Sequence, residues 1–553
     1  MEDFILIFKK NKFNLTSSLY TYNGNSYSEN TTEYYYFNYN KYNRMYDKED
    51  NNYLSVGGNI RADYRITDNH ILGIVFDGLY TKKNNKESAN TIYSKLSSNS
   101  LDSIYDSYNK TNTPTRRFSL NLNYRGKISE KSSFSLDVDY LTNNRDNNIT
   151  NDFYRLETES VSSLQSSFEQ RTNDLFDNYS TKMEYKHKFN DKQSLTTGVD
   201  FYYASSKSDF FYASLINDQY IPDPLKNNTF EYKETFVSPY VSYDWKLNNK
   251  LMGVAGVKAE YVNSKGVQKA TEEKIKKNYF DIKPSLSVLY EVNSNNRLSY
   301  NFSLGVYRPG YYYLNPFKFF VNPTTYKENN PNLSTLKTYT NRLLYTFARH
   351  YTIGLNYTYT SQSVRDFYIP VDDKFTKILR TNYGNTHTIS LYSEWNNSYW
   401  DERLFVKLSA NVDYIRDKGK VETILVDNSF FSYSFSLNSN WTISKKRNLN
   451  LDLNSSYRSR EKYASEDFNN FYYLSFGFRK VFHNDISLSF GMNGLFTPNR
   501  AIQKTDENYK YHIKLKTYNE TAYIRLSIPF GNQKTKGAQN RSSSSNARSR
   551  LSE

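Results

Sequence analysis

The sequence of 553 residues contains no cysteine, which excludes disulfide bridges, thiolate metal ligands and a cysteine nucleophile. No stretch approaches 18 consecutive apolar residues, so no transmembrane helix is predicted. The start, Met1-Glu2-Asp3, is acidic, and the apolar run Phe4–Phe8 is shorter than the roughly 7–15 residues of a secretory signal. Either the protein stays inside the cell or the chain lacks its true beginning, and the strand pattern favours the second alternative.

Aromatic residues, in contrast, are abundant, with 55 Tyr, 36 Phe and 4 Trp. Because disordered chains are poor in aromatics, wholesale disorder is excluded. Tyr, Thr, Val and Phe favour strands, which indicates a β protein. The net charge is +15, but the basic residues are scattered and form no patch with interleaved aromatics, so we predict no nucleic-acid partner.

The dominant signal along the chain is strict alternation of apolar and polar residues. Successive side chains of a strand point to opposite faces, so each such segment has one apolar and one polar face. The segments run to about 10–13 residues, whereas soluble strands average about 5–6 and a membrane-crossing strand needs about 9–11. Clear examples are Phe118–Arg125, Phe134–Tyr140, Leu298–Val306, Leu449–Asn454 and Ile486–Met492.

The connections between these segments alternate between short and long. Short ones include Asp68-Asn69 and His483-Asn484, and long ones include Asn23–Asn52, Lys82–Thr115 and Pro309–Lys337. Outer-membrane barrels have short periplasmic turns and long extracellular loops, whereas a soluble sandwich has no reason to keep that asymmetry. The sequence therefore predicts an all-β fold, a large transmembrane antiparallel β-barrel.

Counting hairpins gives about 21 strands. The first visible strand, Phe4–Lys9, is followed by a short turn, so it descends towards the periplasm, and the last strand, Ala522–Phe530, also descends. Single-chain bacterial barrels have even strand numbers, so we expect one ascending strand upstream and a total of 22. That number is typical of plugged outer-membrane transporters.

The last strand carries a predicted signal for barrel assembly. Its apolar face ends in an aromatic residue, and a Ser/Arg/Asn tail without periodicity follows. We therefore predict a barrel domain over residues 1–531 and a disordered, basic, periplasmic tail over residues 532–553. The predicted assembly signal consists of Ile524, Leu526, Ile528 and Phe530.

Several motifs in the middle of the chain resemble a known family. They are Asn278–Leu286, Arg308-Pro309, Leu314–Phe317 and Asn330–Leu333, with Asn329 standing where the family has glycine. These segments resemble the outer-membrane β-barrel domain of TonB-dependent-receptor-like proteins of Gram-negative bacteria. The motif residues, expected to be structural, are Pro284, Arg308, Pro309, Asn315, Pro316, Asn330 and Pro331.

The resemblance implies an integral protein of the cell outer membrane that captures a ligand with extracellular loops and imports it through the lumen. It also implies membrane lipids, the barrel assembly machinery and TonB as partners, the last through a plug domain that this chain lacks. The alternative is a barrel that anchors or covers a surface lipoprotein or complex without transport of its own.

The segment Pro309–Lys337 is crowded with aromatics and stiffened by prolines. Rigid aromatics give contact area at low entropy cost, so the segment is a candidate ligand-binding loop, with a structural loop packed on itself as the alternative. No catalytic, metal or cofactor motif is present, and we predict neither an enzyme nor a cofactor. The candidate ligand-binding residues are Tyr311, Tyr312, Tyr313, Phe317, Phe319 and Phe320.

Overall fold

A computed structural model describes residues 2–158, 161–322, 325–372, 375–464, 466–505, 509–518, 520–531, 537–538, 542 and 544–551. Strands dominate these residues, and the 28 strands form one sheet. Within these residues, helical structure is limited to α1 (Ser545–Ser549) and three single 3-10 turns at Phe37–Tyr39, Tyr311–Leu314 and His483–Asp485. Within the described residues, no helix has the length and apolar character needed to cross a membrane.

The strand bounds are as follows. The strands are β1 (Glu2–Lys10), β2 (Phe13–Tyr36), β3 (Lys41–Thr67), β4 (His70–Lys95), β5 (Leu101–Lys127), β6 (Ser132–Thr158), β7 (Val161–Asn190), β8 (Gln193–Ile216), β9 (Gln219–Pro222), β10 (Asn228–Lys246), β11 (Leu251–Gln268), β12 (Lys274–Asn293), β13 (Asn296–Tyr307), β14 (Lys318–Asn322), β15 (Thr325–Glu328), β16 (Leu336–Phe347), β17 (Tyr351–Pro370), β18 (Thr376–Tyr399), β19 (Leu404–Val421), β20 (Ile424–Ser444), β21 (Leu449–Arg458), β22 (Glu461–Tyr463), β23 (Glu466–Phe468), β24 (Phe471–Val481), β25 (Ser487–Leu495), β26 (Arg500–Thr505), β27 (Tyr509–Thr517) and β28 (Thr521–Ser527).

The wall is an up-and-down meander in which each long strand pairs antiparallel with the next. The pieces β22, β23, β26 and β27 continue β21, β24, β25 and β28 beyond short interruptions, and β9, β14 and β15 belong to connections. When each interrupted strand is counted once, the described residues form twenty-one wall strands. This confirms the number of strands predicted from the sequence.

The wall curves back on itself, and its two ends meet. β2 pairs with β27, from Ser28 opposite Thr517 to Tyr36 opposite Tyr509. Below this ladder the rings of Phe4 on β1 and Phe530 after β28 stack with their centroids 5.8 Å apart. Among the described residues no ladder joins β1 to β28, and both strands run in the same direction, towards the end with the short turns.

Burial of the wall residues is inverted relative to a soluble protein. On β5, the apolar residues Phe118 and Leu122 are 48% and 51% exposed, whereas Asn121 and Asn123 are 3% and 4% exposed. The polar side chains point into the interior, here called the lumen, where Asn121 Nδ2 donates to Asp139 Oδ2 at 2.8 Å. An outward apolar band around a polar interior is the arrangement of a transmembrane barrel, and it confirms the predicted fold class.

The long connections differ in form from the sequence prediction. The predicted loops Asn23–Asn52 and Lys82–Thr115 are mostly strand, because the β2–β3 and β4–β5 ladders continue to their hairpin tips. Strands here reach 30 residues in β7, so the predicted length of about 10–13 residues is wrong for this part of the wall. The wall therefore extends well beyond a membrane at the long-connection end, as paired strands.

Candidate functional site

One long connection turns inward. Residues 308–335, here called the lumen loop, join β13 to β16 and contact strands on both sides of the lumen. On one side, Gln170 of β7 exchanges two hydrogen bonds with the Phe320 backbone, at 2.9 and 3.1 Å. On the other side, β15 pairs in parallel with β18, and the guanidinium of Arg380 lies 4.0 Å from the ring centroid of Tyr313. The lumen loop therefore crosses the lumen.

A proline lies where β12 separates from β13, four residues of β13 before the loop begins. Pro284 lies within β12 opposite Val257 of β11, and the β12–β13 ladder extends only to Ser285. Proline has no backbone N–H to donate, so it suits a position where pairing with the next strand stops. Beyond this point β13 and β16 continue together only to Tyr307 and Leu336, where the chain bends inward.

The predicted ligand-binding aromatics form the body of the lumen loop. Tyr311, Tyr313, Phe317 and Phe319 are buried, and Tyr312 and Phe320 are partly buried against the same cluster. Burial raises the pKa of Tyr312 to about 12, so its phenol is neutral. The cluster's inward-facing wall members are Leu141, Phe168, Phe176, Tyr202, Ala204, Phe210, Tyr212, Phe230, Tyr232, Phe236 and Val262.

This packing bears on the two alternatives left open by the sequence. Tyr311 packs on Phe176 with ring centroids 4.8 Å apart, and Phe317 stacks on Phe210 at 5.4 Å. Such contacts anchor the loop to the wall and leave little aromatic surface for a ligand, which favours the structural alternative. The ligand-binding role of the six aromatics stays a prediction.

The motif residue Arg308 anchors the base of the loop. Its Nη2 lies 2.7 Å from Oε2 of Glu260 on β11, and its guanidinium lies 5.2 Å from the ring centroid of Phe236. Glu260 also receives Lys283 Nζ at 3.0 Å, so one buried carboxylate is held by two cations. Because Glu260 is buried, its charge depends on these two cations, and removing Arg308 would leave it with Lys283 alone.

The asparagine and proline motifs close the lumen loop on itself. Asn329 Nδ2 donates to the Tyr312 carbonyl at 2.9 Å and to Asn315 Oδ1 at 3.0 Å, which holds the two arms together. The Asn330 N–H donates to the Tyr313 carbonyl at 3.1 Å. Lys277 Nζ donates to the carbonyls of Pro331 and Leu333. Asn329, standing in the family's glycine position, thus supplies hydrogen bonds that glycine could not.

The other two motif prolines lie at the ends of the 3-10 turn. Pro309 precedes it and Pro316 follows it, and both are half-buried. The Pro309 carbonyl accepts a hydrogen bond from Arg550 Nε at 2.9 Å, a contact that brings the C-terminal segment to the loop. All seven motif residues therefore lie in the lumen loop or on the strand beside its base.

The sequence did not predict a group of buried polar residues that lies beside the lumen loop and centres on Glu234. Glu234 of β10 is buried and accepts hydrogen bonds from the hydroxyls of Tyr202 and Tyr232. The alternation of β10 could have revealed it, because Phe230, Tyr232, Glu234 and Phe236 share one face. Among the described residues, no group of three or more His, Asp or Glu side chains could hold a metal ion.

The described part of the C-terminal tail contacts the inner face of the wall. Ser542 Oγ donates to Asp139 at 3.2 Å, Arg548 Nη2 donates to Ser119 Oγ at 2.8 Å, and Arg550 reaches Glu234. These partners are on the inner face of the wall, so this part of the tail lies in the lumen. The prediction of a disordered periplasmic tail over residues 532–553 stays a prediction, and part of that range lies outside the described residues.

The last strand, β28, together with the residues after it to Phe530, is here called the closing strand, and its apolar side chains point away from the lumen. Ile524, Leu526, Ile528 and Phe530 all point outward and are exposed, with Ile524 the most accessible. They continue the outward apolar band of the wall. Their recognition by the assembly machinery stays a prediction.

Comparisons with solved structures support the barrel fold. The unliganded ferric citrate transporter FecA aligns with a TM-score of 0.50 at 12% identity, over 89% of this chain and 78% of that one. The copper transporter OprC aligns with a TM-score of 0.52 at 10% identity, over 90% of this chain and 80% of that one. At such identity the likeness shows the fold alone. Among curated protein sequences, none matches this chain.

A family profile gives the assignment. The profile described as the outer membrane protein beta-barrel family matches residues 126–530. This range contains the lumen loop, its motifs and the closing strand, and it confirms the resemblance seen in the sequence. The chain therefore belongs to the outer membrane protein β-barrel family and is an integral protein of the cell outer membrane.

Proposed function

We propose that this barrel forms the wall of a transporter that captures a solute at its extracellular mouth and imports it through the lumen. The observation that carries the proposal is the lumen loop, which crosses a wide polar interior and contacts β7 on one side and β18 on the other. A barrel of about 22 strands has a lumen wide enough to need a plug. A wall with such an internal obstruction suits regulated passage better than open diffusion.

Active import against a concentration gradient requires an energy source, and the family resemblance implies TonB as that source. We propose that TonB acts through a plug domain, and that this chain contributes the wall, the mouth and the lumen lining. Membrane lipids would contact the outward apolar band, and the barrel assembly machinery would recognise Ile524, Leu526, Ile528 and Phe530.

Uptake by a deletion strain tests the proposal. The strain and its parent are compared for uptake of radiolabelled ferric citrate, copper(II), oligosaccharides and short peptides, with the first two chosen from the names of the structural neighbours. We expect uptake of at least one probe to fall and to return when the full gene is restored. Unchanged uptake of every probe would contradict transport within these solute classes.

The proposed ligand contact is tested at the two more accessible aromatics of the loop. Tyr312→Ala and Phe320→Ala should weaken binding of the transported probe, whereas Tyr472→Ala, an exposed residue on β24, serves as a matched control. Heat-modifiable migration on a gel establishes that each barrel has folded. Unchanged binding by folded Tyr312→Ala and Phe320→Ala would leave the loop with a structural role only.

A second candidate, a barrel that anchors a surface lipoprotein or complex, is favoured by apolar residues at the hairpin tips. Leu225 is 98% exposed, and Leu101, Leu425 and Phe496 are also accessible at the long-connection end. Exposed apolar residues on a soluble surface mark protein contacts when they cluster. Purification of the tagged barrel from its own membrane tests this: a stoichiometric surface protein lost in Leu225→Asp would support anchoring.

A further inference from the structure

Glu234 is a carboxylate in an unusual place. It lies on the inward face of β10 between Tyr232 and Phe236, and 2% of its surface is exposed. The Tyr202 hydroxyl donates to Oε1 at 2.6 Å, and the Tyr232 hydroxyl donates to Oε2 at 2.7 Å. Two neutral phenols stabilise a carboxylate only partly, and a charge this deeply buried needs a cation as well.

That cation is the guanidinium of Arg550. Its Nη1 lies 2.5 Å from Glu234 Oε1, and its Nε donates to the Pro309 carbonyl at 2.9 Å. Its Cζ lies 4.0 Å from the ring centroid of Tyr311, so the planar group stacks on an aromatic face. A carboxylate, a carbonyl and an aromatic face together match a guanidinium, which is flat and donates in several directions, better than an ammonium.

The neighbouring carboxylate does not compete for this cation. Glu260, on the next strand, is paired with Arg308 at 2.7 Å and Lys283 at 3.0 Å. The two acidic groups thus have separate partners: Glu260 holds the base of the lumen loop, and Glu234 holds Arg550 beneath it. Only the second pair depends on a residue of the C-terminal segment.

The C-terminal segment runs along the inner face of the wall towards Glu234. The Ala538 N–H donates to Thr16 Oγ1 near the short-turn end, and Arg548 donates to Ser119, eight residues before the short-turn end of β5. Leu551 packs against the aromatic cluster that includes the lumen loop. The described residues of the segment therefore mark a path up the inside of the wall that ends at Glu234.

We propose that Glu234, Tyr202, Tyr232 and Tyr311 form a guanidinium-binding site in the lumen, which accepts an arginine side chain and which Arg550 occupies. The site, here called the Glu234 site, fixes the C-terminal segment under the lumen loop. This inference is independent of the proposed transport, because it concerns the occupancy of a site within the isolated barrel.

Cysteine labelling of the purified full chain tests the docking directly, because the protein has no cysteine of its own. Leu551→Cys reports on the docked segment, and Leu225→Cys, at a fully exposed hairpin tip, is the matched control. With a maleimide-polyethylene glycol reagent, we expect Leu551→Cys to react about tenfold more slowly than Leu225→Cys. Adding Glu234→Gln should accelerate Leu551→Cys about tenfold and leave Leu225→Cys unchanged, because the buried ion pair is lost.

A ligand assay tests the chemical class of the site. In Arg550→Ala the site should be empty and should bind N-acetylarginine amide about tenfold more tightly than N-acetyllysine amide, as measured by calorimetry. The wild-type chain should bind the arginine probe about tenfold more weakly than Arg550→Ala, because Arg550 competes. Combining Arg550→Ala with Glu234→Gln should abolish binding.

Gel heat-modifiability shows whether each variant is a folded barrel. If Glu234→Gln does not fold, Tyr202→Phe replaces it: this change keeps the ring that stacks on Phe236 and removes one hydrogen bond to the carboxylate, so labelling should accelerate about threefold. Equal labelling rates at positions 551 and 225, or arginine binding that survives the loss of the Glu234 charge, would overturn the proposal. So would equal affinity for the lysine probe.

Discussion

Leu122→Arg distinguishes a wall that faces lipid from one that faces water. Leu122 is 51% exposed on β5, and its sequence neighbours Asn121 and Asn123 are buried in the lumen. In water, an arginine at so exposed a site would change the free energy of unfolding by no more than about 0.5 kcal/mol. On the lipid face of a barrel, arginine costs about 2–4 kcal/mol at the bilayer midplane and less towards the interfaces.

The depth of Leu122 sets the expected value within that range. A membrane crossing takes about 9–11 residues, and Leu122 is the fifth residue before Lys127, where β5 ends at a short turn. This places Leu122 near the middle of the bilayer. We therefore expect Leu122→Arg to lower the free energy of unfolding by about 3–4 kcal/mol.

The assay is urea titration of the barrel refolded in phosphatidylcholine vesicles, followed by the fluorescence of its 4 Trp. Leu225→Arg, at a hairpin tip outside the membrane, is the matched control and should stay within about 0.5 kcal/mol of the wild type. If Leu122→Arg were as stable as the control, the assignment of the outward face to lipid would be wrong.

Three further perturbations follow from the lumen loop and the closing strand. Arg308→Ala leaves Glu260 with Lys283 alone and removes one charged hydrogen bond, so it should destabilise the loop by about 1.5–3 kcal/mol. We expect faster proteolysis within residues 308–335, and proteolysis as slow as that of the wild type would contradict the anchoring role. Because burial raises the pKa of Tyr312 to about 12, its neutral phenol stabilises the fold fully below about pH 10, and this stability is lost as the pH rises through 12. Between pH 10 and 12 the wild type should therefore lose about 1.4 kcal/mol per pH unit more than Tyr312→Phe, and parallel curves would contradict this. Phe530→Ala should reduce the amount of folded barrel in cells but not refolding into vesicles, and equal losses in both would point to the stacking with Phe4 instead of to the assembly machinery.

The wall was predictable because the membrane leaves a strong signal in the sequence. Leu120 and Leu122 face out and Asn121 and Asn123 face in, so the period of two is visible without any knowledge of partners. The number of crossings follows from the same signal. Beyond the bilayer the apolar face is no longer needed, and the signal disappears although the hydrogen-bond ladder continues. For example, Asn84 lies opposite Asn112 in the β4–β5 ladder, but the polar sequence around both residues predicts a loop.

The site was less predictable because it depends on closure of the wall. Gln170 and Phe320 are 150 residues apart and meet only when the barrel places β7 across from the lumen loop. The aromatics of the loop were visible in the sequence as a cluster. No local sequence pattern, however, indicates whether a long connection points outward or into the lumen. Glu234 was recognisable only by its aromatic neighbours on one strand face, and its partner Arg550 lies in a segment without periodicity.

The long paired arms have a consequence for how a solute meets the protein. The 27 residues of β3 span about 90 Å at about 3.4 Å per residue, and a tilt of about 40° leaves a height of about 70 Å. With an apolar band about 25 Å tall near the short turns, the hairpin tips stand about 40 Å above the lipid headgroups.

At physiological ionic strength the field of a charged surface decays over about 8 Å. The headgroup charges are therefore screened at the tips, and an arriving solute responds to the side chains of the arms themselves. Pairs such as Arg44 with Glu33, at 4.0 Å near the tip of the β2–β3 arm, belong to this surface. The electric field at the mouth is thus set by the protein's own charges and is independent of the lipid composition of the surrounding membrane.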